Sequence, residues 1–514
     1  MDKAKQRNQK IEWHIVILGL ALFLGTIIRI FPGVMAGFPL NDGGMFYVMI
    51  RDLRLNHYLL PDFTSYNLAT IPFAYPPLGL YLAALLPDVL GLPELESLRW
   101  LPVVANVISI YAFYLLATVI LGNRPRAAIA SAFYALTPGS YDWFIMGGGL
   151  TRSLGSLFLL LSLYFLLRMF QNGTWKNIFF TTLFCALTVL SHPEAGLHTA
   201  ASSLLFWLFF GRTKQGTLHA VYVGLGTILL TSPWWFPLLA RHGTGLFISA
   251  LHTGMYQTNS LMALLNDIFA WDTYIPLLLI LRLLGLGWAI WKRQFFLIAW
   301  MALPYFVEPR SAPVVTFFSF CMLIALALTD ALPAIVSRFK RDQSPEVISA
   351  PLSELHWLNR VIFLLFIYLF IESSLLSFRL INTTLKSPAI DAMTWIKNST
   401  PVEAQFLILT GKSDAMVDPM QEWFPALTER RSQTTLQGLE WTLAEGFVSR
   451  LAYLSRLQGC EQVECIENWS KEANLNFTHV LIERSVLMNH LINSLQQSNY
   501  GLIYETPEFM VYQK

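Results

Sequence analysis

Apolar residues fall into repeated runs of roughly 17 to 25 along this chain, and short polar segments separate the runs. A helix rises about 1.5 Å per residue, so one run covers the ~30 Å hydrocarbon core of a bilayer. The pattern therefore predicts an all-α polytopic membrane protein with about eleven or twelve transmembrane helices. The runs lie at about 13–31, 99–121, 126–140, 151–169, 177–192, 194–211, 217–240, 273–291, 294–308, 312–334 and 357–380.

Basic residues cluster between alternate runs, and this clustering sets the predicted orientation. Four basic residues among the first ten place the N-terminus in the cytoplasm. The run 75–91 is expected to enter the membrane only partly, because a full crossing would put Arg124 and Arg126 outside. The other clusters assigned to the cytoplasmic side are Arg168 with Lys176, Arg212 with Lys214, Lys292 with Arg293, and Arg338 with Lys340 and Arg341.

The composition changes at about residue 387. Residues 1–386 carry 26 Lys and Arg against 18 Asp and Glu, whereas residues 387–514 carry 9 against 15. The second segment has short strand-like stretches and is expected to form a soluble extracytoplasmic α/β or α+β domain, with 1–386 as the membrane domain. A hydrophobic fraction of 54% and a charged fraction of 13% exclude a cytosolic enzyme, a disordered chain and a nucleic-acid-binding protein.

Two of the four cysteines lie close together in the C-terminal segment. Cys460 and Cys465 are separated by four residues, and an oxidising compartment would favour a disulfide between them over two free thiols. Cys185 and Cys321 lie inside predicted spans and are expected to pack as small apolar residues.

The first outer loop, residues 32–74, carries the first candidate for chemistry. Asp42 lies in the sequence PLNDGG, a few residues beyond the first predicted span. A carboxylate there lies at the boundary between lipid and water, where a base would meet a lipid-borne substrate. The alternative is that Asp42 caps the following helix while the glycines form the turn.

Two further outer segments place ionisable groups near helix ends. The glycine run 147–149 precedes a helix that carries Arg152, and free N–H groups beside a cation could hold a phosphate. A flexible loop is the alternative for the glycines. His192 and Glu194 lie in a turn between two spans, with His198 one helical turn further on. They could bind a metal, hold a substrate or pair with each other.

A third outer turn contains Glu308 and Arg310, which could act on a substrate or simply close the hairpin as an ion pair. Because ionisable groups recur at outer helix ends, a pocket on one face is favoured over a path through the membrane.

In the C-terminal segment, 422–425 (EWFP) and 438–441 (GLEW) place aromatic residues beside carboxylates. Carbohydrate-binding surfaces have this composition, and a hydrophobic core with its rim is the alternative.

The pattern resembles the GT-C superfamily of integral membrane glycosyltransferases, and within it the bacterial mannosyltransferase-like and arabinosyltransferase-like members that use polyprenyl-phosphate-linked sugars. The resemblance rests on the architecture of the whole chain, on Asn41-Asp42 in the first outer loop, and on the YPPL sequence at 75–78. Members with an acidic pair in this loop have Asp-Glu, whereas Asp42 here lies between Asn41 and Gly43.

The resemblance implies inverting transfer of a hexosyl or pentosyl group from a polyprenyl-phosphate donor to a glycan, lipid or protein acceptor on the extracytoplasmic face. It implies that Asp42 is the general base and that Arg152 and Arg310 bind the donor phosphate. The cofactor is unknown, and a divalent cation such as Mg²⁺ or Mn²⁺ is the candidate. The residues considered for substrate or metal binding are Asn41, His192, Glu194 and Glu308.

The rival functions are a lipid or polysaccharide transporter or flippase, an O-antigen-type polymerase or ligase, and a non-enzymatic scaffold. Transporters commonly have paired repeats and polar groups near the midplane, and the sequence has no evident repeat. The polymerases and ligases usually centre their chemistry on a large late loop, whereas the candidate here follows the first span. No nucleic-acid partner is expected.

Overall fold

The computed structural model describes residues 12–254, 259–270, 274–339 and 356–514. Each predicted span corresponds to a helix. The basic N-terminal residues, Lys340 and Arg341 lie outside the described residues. The helices before residue 387 are α1 (Trp13–Ala36), α2 (Gly44–Leu55), α3 (Leu78–Leu90), α4 (Glu94–Leu121), α5 (Arg124–Leu136), α6 (Gly149–Asn172), α7 (Trp175–Ser191), α8 (Pro193–Phe210), α9 (Lys214–His242), α10 (Gly245–Gly254), α11 (Ser260–Ile268), α12 (Leu277–Trp291), α13 (Phe295–Val307), α14 (Ala312–Leu326), α15 (Leu332–Phe339) and α16 (His356–Leu380).

The described chain contains six helical segments that are long and apolar enough to cross a membrane. They are α1, α4, α6, α9, the continuous run of α14 into α15, and α16 with the helix that follows it. Four further apolar helices, α3, α7, α12 and α13, have 10 to 17 residues. The chain is therefore a multi-pass membrane protein, as predicted, although several predicted spans are shorter helices than the apolar runs indicate.

Helix α3, in the run 75–91, lies on one side of the helix bundle. Its 13 residues extend ~20 Å, which is less than the thickness of the hydrocarbon core. Gly79 at its start lies against Leu150 at the start of α6. Near its other end, Asp88 pairs with Arg54 of α2 at 2.7 Å, and Arg54 also pairs with Glu94 at the start of α4. The partial entry of this run into the membrane stays a prediction.

The loop 32–74 is folded between α1 and α3. Besides α2 it contains a two-stranded antiparallel hairpin, β1 (Phe63–Thr64) with β2 (Ile71–Pro72). The Asp52 carboxylate of α2 accepts hydrogen bonds from the Thr64 hydroxyl at 2.6 Å and from the Ser65 N–H at 2.9 Å. These bonds fasten the hairpin to α2 and give the loop a defined shape.

The C-terminal segment forms a five-stranded mixed sheet with helices, which confirms the predicted α/β or α+β fold. The strand order is β4-β3-β5-β7-β6; β3 pairs in parallel with β4 and β5, and β7 pairs antiparallel with β5 and β6. The elements are α17 (Ser387–Ser399), β3 (Gln405–Leu409), α18 (Pro419–Thr428), β4 (Arg431–Ser432), α19 (Gly446–Gln458), α20 (Val463–Glu472), β5 (His479–Glu483), α21 (Asn489–Gln496), β6 (Gly501–Glu505) and β7 (Phe509–Gln513).

A disulfide joins the segment after α19 to the start of α20. The sulfur atoms of Cys460 and Cys465 are 1.97 Å apart. Cys185 and Cys321 are buried within the helix bundle, as expected for small apolar residues.

The two faces of the sheet pack in different directions, because successive side chains of a strand point to opposite faces. Leu407 and Leu409 of β3 pack with the apolar residues of α19, α20 and α21. Phe406 and Ile408 join a second core that also contains residues of α2, such as Met49. The C-terminal sheet and the first loop therefore share one hydrophobic core.

A buried arginine ties three helices together at the end of the bundle that carries the first loop. Arg29 of α1 is 0% exposed. Its guanidinium donates to Asn106 Oδ1 of α4 at 2.5 Å, to the Ala135 carbonyl of α5 at 2.7 Å and to Ser140 Oγ at 2.9 Å. Each guanidinium nitrogen has an acceptor, which is what a buried charge needs.

Replacing Arg29 with alanine is expected to lower the free energy of unfolding by about 3 kcal/mol, because buried acceptors would lose charged donors. Thermal unfolding of the detergent-solubilised protein measures the effect. Arg124→Ala, at an exposed position at the start of α5, is the control and should stay within ~0.5 kcal/mol of the wild type. Equal melting temperatures for Arg29→Ala and the control would contradict this account of the packing.

Candidate active site

The site is built around the chain reversal that carries Asp42 from α1 into α2. Asn41 and Gly43 on either side have φ values of 51° and 116°, in the left-handed region. Glycine adopts this region without strain, and asparagine is among the few other residues that tolerate it. The reversal turns the Asp42 side chain away from α2 and toward the N-terminus of α6.

Both oxygens of the Asp42 carboxylate have partners on α6 or at its start. The Gly148 N–H donates to Oδ1 at 2.7 Å, and Arg152 Nη2 donates to Oδ2 at 2.8 Å. The Asp42 side chain remains 16% exposed. A carboxylate at a helix N-terminus is stabilised by free N–H groups and by the helix dipole. The alternative that Asp42 caps α2 is wrong, since its carboxylate binds α6.

The glycine run 147–149 is a tightly packed turn rather than a flexible loop. A Cβ added at Gly147 would clash with the Asp42 carbonyl, and one at Gly148 would clash with the Asp42 carboxylate. A Cβ at Gly149 would clash with the Phe144 carbonyl. The Gly147 N–H also donates to the Leu40 carbonyl at 3.0 Å. The glycines are required because two backbone segments meet here.

The Arg152 side chain is held by Trp143 and Asp42, and some of its N–H donors take part in neither contact. Its Nε donates to the Trp143 carbonyl at 3.2 Å, and its guanidinium lies 5.6 Å from the Trp143 ring centroid. With the bond to Asp42, two of its five N–H donors are used within the described residues. The remaining donors and a side chain that is 28% exposed leave Arg152 able to bind an anion.

A second carboxylate reaches the site from the C-terminal sheet domain. Glu422 of α18 is buried, and its Oε1 accepts the N–H groups of Gly43 at 2.9 Å and Met45 at 3.3 Å. These N–H groups lie at the start of α2, where no helix carbonyl can accept them. Glu422 therefore stabilises the N-terminus of α2, as Asp42 stabilises the N-terminus of α6. Burial and the nearby Asp42 charge raise the pKa of Glu422 well above its usual range.

The His192 turn lies near the same site but serves the local backbone. His192 Nδ1 accepts the Ala195 N–H at 3.4 Å and caps α8. Burial, with the charges of Arg152 and Arg310, lowers the pKa of His192 to about 3, so the ring is neutral. Glu194 is half-buried in the first turn of α8.

Tyr75, just before α3, faces the same charged groups. Burial raises the pKa of its phenol to about 12, and the Glu194 charge adds to this effect. The YPPL sequence thus places a neutral phenol beside the candidate residues, although sequence reasoning assigned Tyr75 no role.

The third outer turn is closed by backbone capping. Glu308 accepts the backbone N–H groups of Arg310 at 3.1 Å and Ser311 at 2.7 Å. The Ser311 hydroxyl also lies 2.9 Å from His198 Nε2. Among the described contacts, the predicted alternative of a Glu308–Arg310 side-chain ion pair is absent, and the Arg310 side chain is exposed.

A cavity of about 330 Å³ is lined in part by Trp143, whose carbonyl accepts the Arg152 Nε–H group. Val314 and Phe317 of α14 are among its apolar lining residues, and its charged lining residues are Asp142, Asp267, Arg282 and Arg310. Burial raises the pKa of Asp142 to about 6. A cavity that combines charged groups of both signs with aromatic and aliphatic residues suits an amphiphilic ligand with a polar headgroup.

The candidates for metal binding do not converge. Among the described residues, no group of three His, Cys, Asp or Glu side chains could hold a metal ion. His192 and Glu308 cap helices, and the Asn41 carbonyl accepts the Trp423 indole N–H at 2.9 Å. Within the described part of the chain, the candidates for Mg²⁺ or Mn²⁺ binding therefore do not form a cluster of three protein ligands.

The C-terminal aromatic residues occupy buried positions. Trp423 is 0% and Trp441 is 7% exposed, so the alternative of a core and its rim is correct for both. Sequence reasoning missed the role of Glu422, which is 379 residues from Gly43. The only signal was the carboxylate next to an aromatic residue in the EWFP sequence, and it indicated a carbohydrate-binding surface instead.

Part of the chain matches known families. Residues 74–236 match the family described as dolichyl-phosphate-mannose-protein mannosyltransferase. A stretch of 178 residues is 28% identical to dolichyl-phosphooligosaccharide-protein glycotransferase 1 of Archaeoglobus fulgidus. The alignment covers 32% of this chain and 29% of that protein, so the chain matches less than a third of the length of this relative.

The likeness in fold extends further than the likeness in sequence. The crystal structures of ArnT from Cupriavidus metallidurans, in the apo state and bound to undecaprenyl phosphate, superpose with TM-scores of 0.56 and 0.55. Each comparison covers 97% of both chains at 13% identity. The shared fold therefore includes the membrane helices and the C-terminal sheet.

Replacing Gly148 with alanine is expected to disrupt the Asp42 contact, because the new methyl group would overlap the carboxylate. Overpacking of this kind costs about 1–3 kcal/mol in the free energy of unfolding, which thermal unfolding in detergent measures. Gly139→Ala is the matched control, since a Cβ at Gly139 meets nothing within 4 Å. The packing account is wrong if both variants unfold at the wild-type temperature.

Proposed function

We propose, from the GT-C fold that this chain shares with integral membrane glycosyltransferases, that the protein transfers a sugar from a polyprenyl-phosphate-linked donor to an acceptor hydroxyl. The reaction would occur on the extracytoplasmic face of the membrane. One observation carries the proposal: a partly exposed carboxylate, Asp42, is held by a helix N-terminus and by Arg152, and Arg152 also binds the carbonyl of Trp143 in the cavity wall.

The comparisons support this class of donor. The matched family and the archaeal relative are named for dolichyl-phosphate-linked substrates, and one ArnT structure contains undecaprenyl phosphate. Dolichyl and undecaprenyl chains are both polyprenyl lipids. A lipid-borne donor also accounts for a site at the end of an apolar helix bundle, where a headgroup can reach it from the bilayer.

In the proposed reaction, Asp42 accepts the proton of the acceptor hydroxyl as its oxygen attacks the anomeric carbon of the donor sugar. The new glycosidic bond forms while the bond from that carbon to the phosphate oxygen breaks, and the phosphate leaves with the electron pair. Attack opposite the leaving group inverts the anomeric configuration. Asp42 then releases its proton to water.

The leaving phosphate gains negative charge and needs cationic donors more than a general acid. Arg152 has N–H donors beyond those that bind Asp42 and Trp143, so it can contact a phosphate without releasing the base. Arg310 provides a second cation at the wall of the cavity. The aromatic and aliphatic residues of that wall would contact the apolar part of the donor.

The proposed orientation places the N-terminus in the cytoplasm and the C-terminal sheet outside. The first loop, α18 and the candidate residues lie at one end of the helix bundle. Arg126, which is predicted to be cytoplasmic, pairs at 2.5 Å with Asp330 of the segment that joins α14 to α15. The proposed orientation rests on the positive-inside rule, which places the basic loops in the cytoplasm.

Asp42→Asn should abolish transfer from radiolabelled undecaprenyl-phosphate mannose or arabinose to membrane acceptors, because an amide cannot accept the proton. We expect at least a hundredfold loss, within the range usual for a general base. Asp62→Asn is the control, since Asp62 lies in the same loop and pairs with Arg241 at the surface. Retained activity in Asp42→Asn at matched expression would refute the assignment of the base.

Arg310→Ala should raise the apparent KM for the donor by about tenfold, equivalent to ~1.4 kcal/mol of lost binding, with a smaller effect on kcat. Initial rates at varied donor concentration in washed membranes measure both constants. Arg212→Ala removes an exposed arginine before α9 and should behave as the wild type. An unchanged KM in Arg310→Ala would exclude Arg310 from donor binding.

A further inference from the structure

Glu422 enters the site from a distant part of the chain. It lies in the first turn of α18, and its side chain is buried against the start of α2. The Glu422 Oε1 atom is the acceptor for the N–H groups of both Gly43 and Met45. Gly43 directly follows Asp42, so the contact acts on the peptide next to the proposed base.

The backbone around Glu422 is fixed to the same loop by other contacts. Tyr66 Oη donates to the Glu422 carbonyl at 2.7 Å, and the Trp423 indole donates to the Asn41 carbonyl at 2.9 Å. A Cβ on Gly44 would lie 2.5 Å from the Glu422 carbonyl oxygen, so the two segments touch closely. Segment 40–45 is thereby held between α6 on one side and α18 on the other.

A buried N–H group without an acceptor is unfavourable, and the loop would move to find one. The turn at Gly43 has a left-handed backbone that local helix propensity does not enforce. Removing the Glu422 oxygen would leave two N–H groups unsatisfied within the turn that orients Asp42.

We propose that Glu422 is a positioning residue that holds Asp42 in its reactive orientation through the N–H groups of Gly43 and Met45. The C-terminal sheet domain is therefore part of the active site. This inference rests on the proposed function of Asp42. For this role, residue 422 must supply an acceptor oxygen at the Oε1 position, and a negative charge is not required.

Substitution of Glu422 by glutamine or by alanine distinguishes a requirement for an acceptor oxygen from a requirement for a negative charge. Glu422→Gln keeps the acceptor oxygen and the shape of a protonated carboxyl, whereas Glu422→Ala removes the acceptor. We expect kcat within threefold of the wild type for the glutamine variant and at least tenfold lower for the alanine variant. The donor KM should stay unchanged in both, because the phosphate-binding arginines are untouched.

The matched control is Glu429→Gln, at the other end of the same helix. Glu429 pairs with Lys397 at 2.7 Å and with Arg51 of α2 at 3.4 Å, so it also links the C-terminal domain to the first loop. Its contacts do not include segment 40–45. Transfer from the two radiolabelled undecaprenyl-phosphate sugars should be unaffected.

Hydrogen exchange of the purified full-length variants, measured by mass spectrometry, reports on the loop without any need for activity. Peptides that cover residues 40–47 should exchange faster in Glu422→Ala than in the wild type and Glu422→Gln. Wild-type exchange and kcat in Glu422→Ala would overturn the proposal, as would an equal loss of kcat in the glutamine variant. An inactive wild type would refute the proposed function, while the exchange comparison would still decide the role of Glu422.

Discussion

The contact between Asp42 and the start of α6 is the interaction on which the candidate site depends. It brings a carboxylate from the first loop against the Gly148 N–H and the Arg152 guanidinium. The contact is compatible only with glycine at 147 and 148, where any larger residue would overlap segment 42–43. Charge pairing and a helix N-terminus together explain why a carboxylate lies stably beside apolar helices.

The C-terminal sheet also holds the loop that carries Asp42. One face of the sheet shares its hydrophobic core with α2, and α18 inserts Glu422 at the start of that helix. The loop that carries Asp42 is thus fixed from the membrane helices by α6 and from the C-terminal sheet by α18. The geometry of the candidate site depends on how the two parts of the chain pack together, and neither part supplies it alone.

Much of the fold follows from the sequence because the bilayer restricts spanning segments to helices of known length. The sequence singled out Asp42 after the first span and the glycine run before Arg152, and these two segments contact each other in the candidate site. The sequence could not reveal Glu422, since tertiary packing brings it to Gly43 across 379 residues. Local capping also went unrecognised: His192 and Glu308 satisfy backbone N–H groups, a need that residue type alone does not display. The division at residue 386 stays a prediction.

The most direct test of the central claim is the transfer of label from undecaprenyl-phosphate-linked mannose and arabinose in membranes that contain the wild-type protein. Membranes from the same cells without the protein are the reference. The account predicts that label enters a membrane acceptor with at least one donor, at a rate proportional to the amount of protein. Label incorporation equal to the reference with both donors would contradict glycosyl transfer from these carriers.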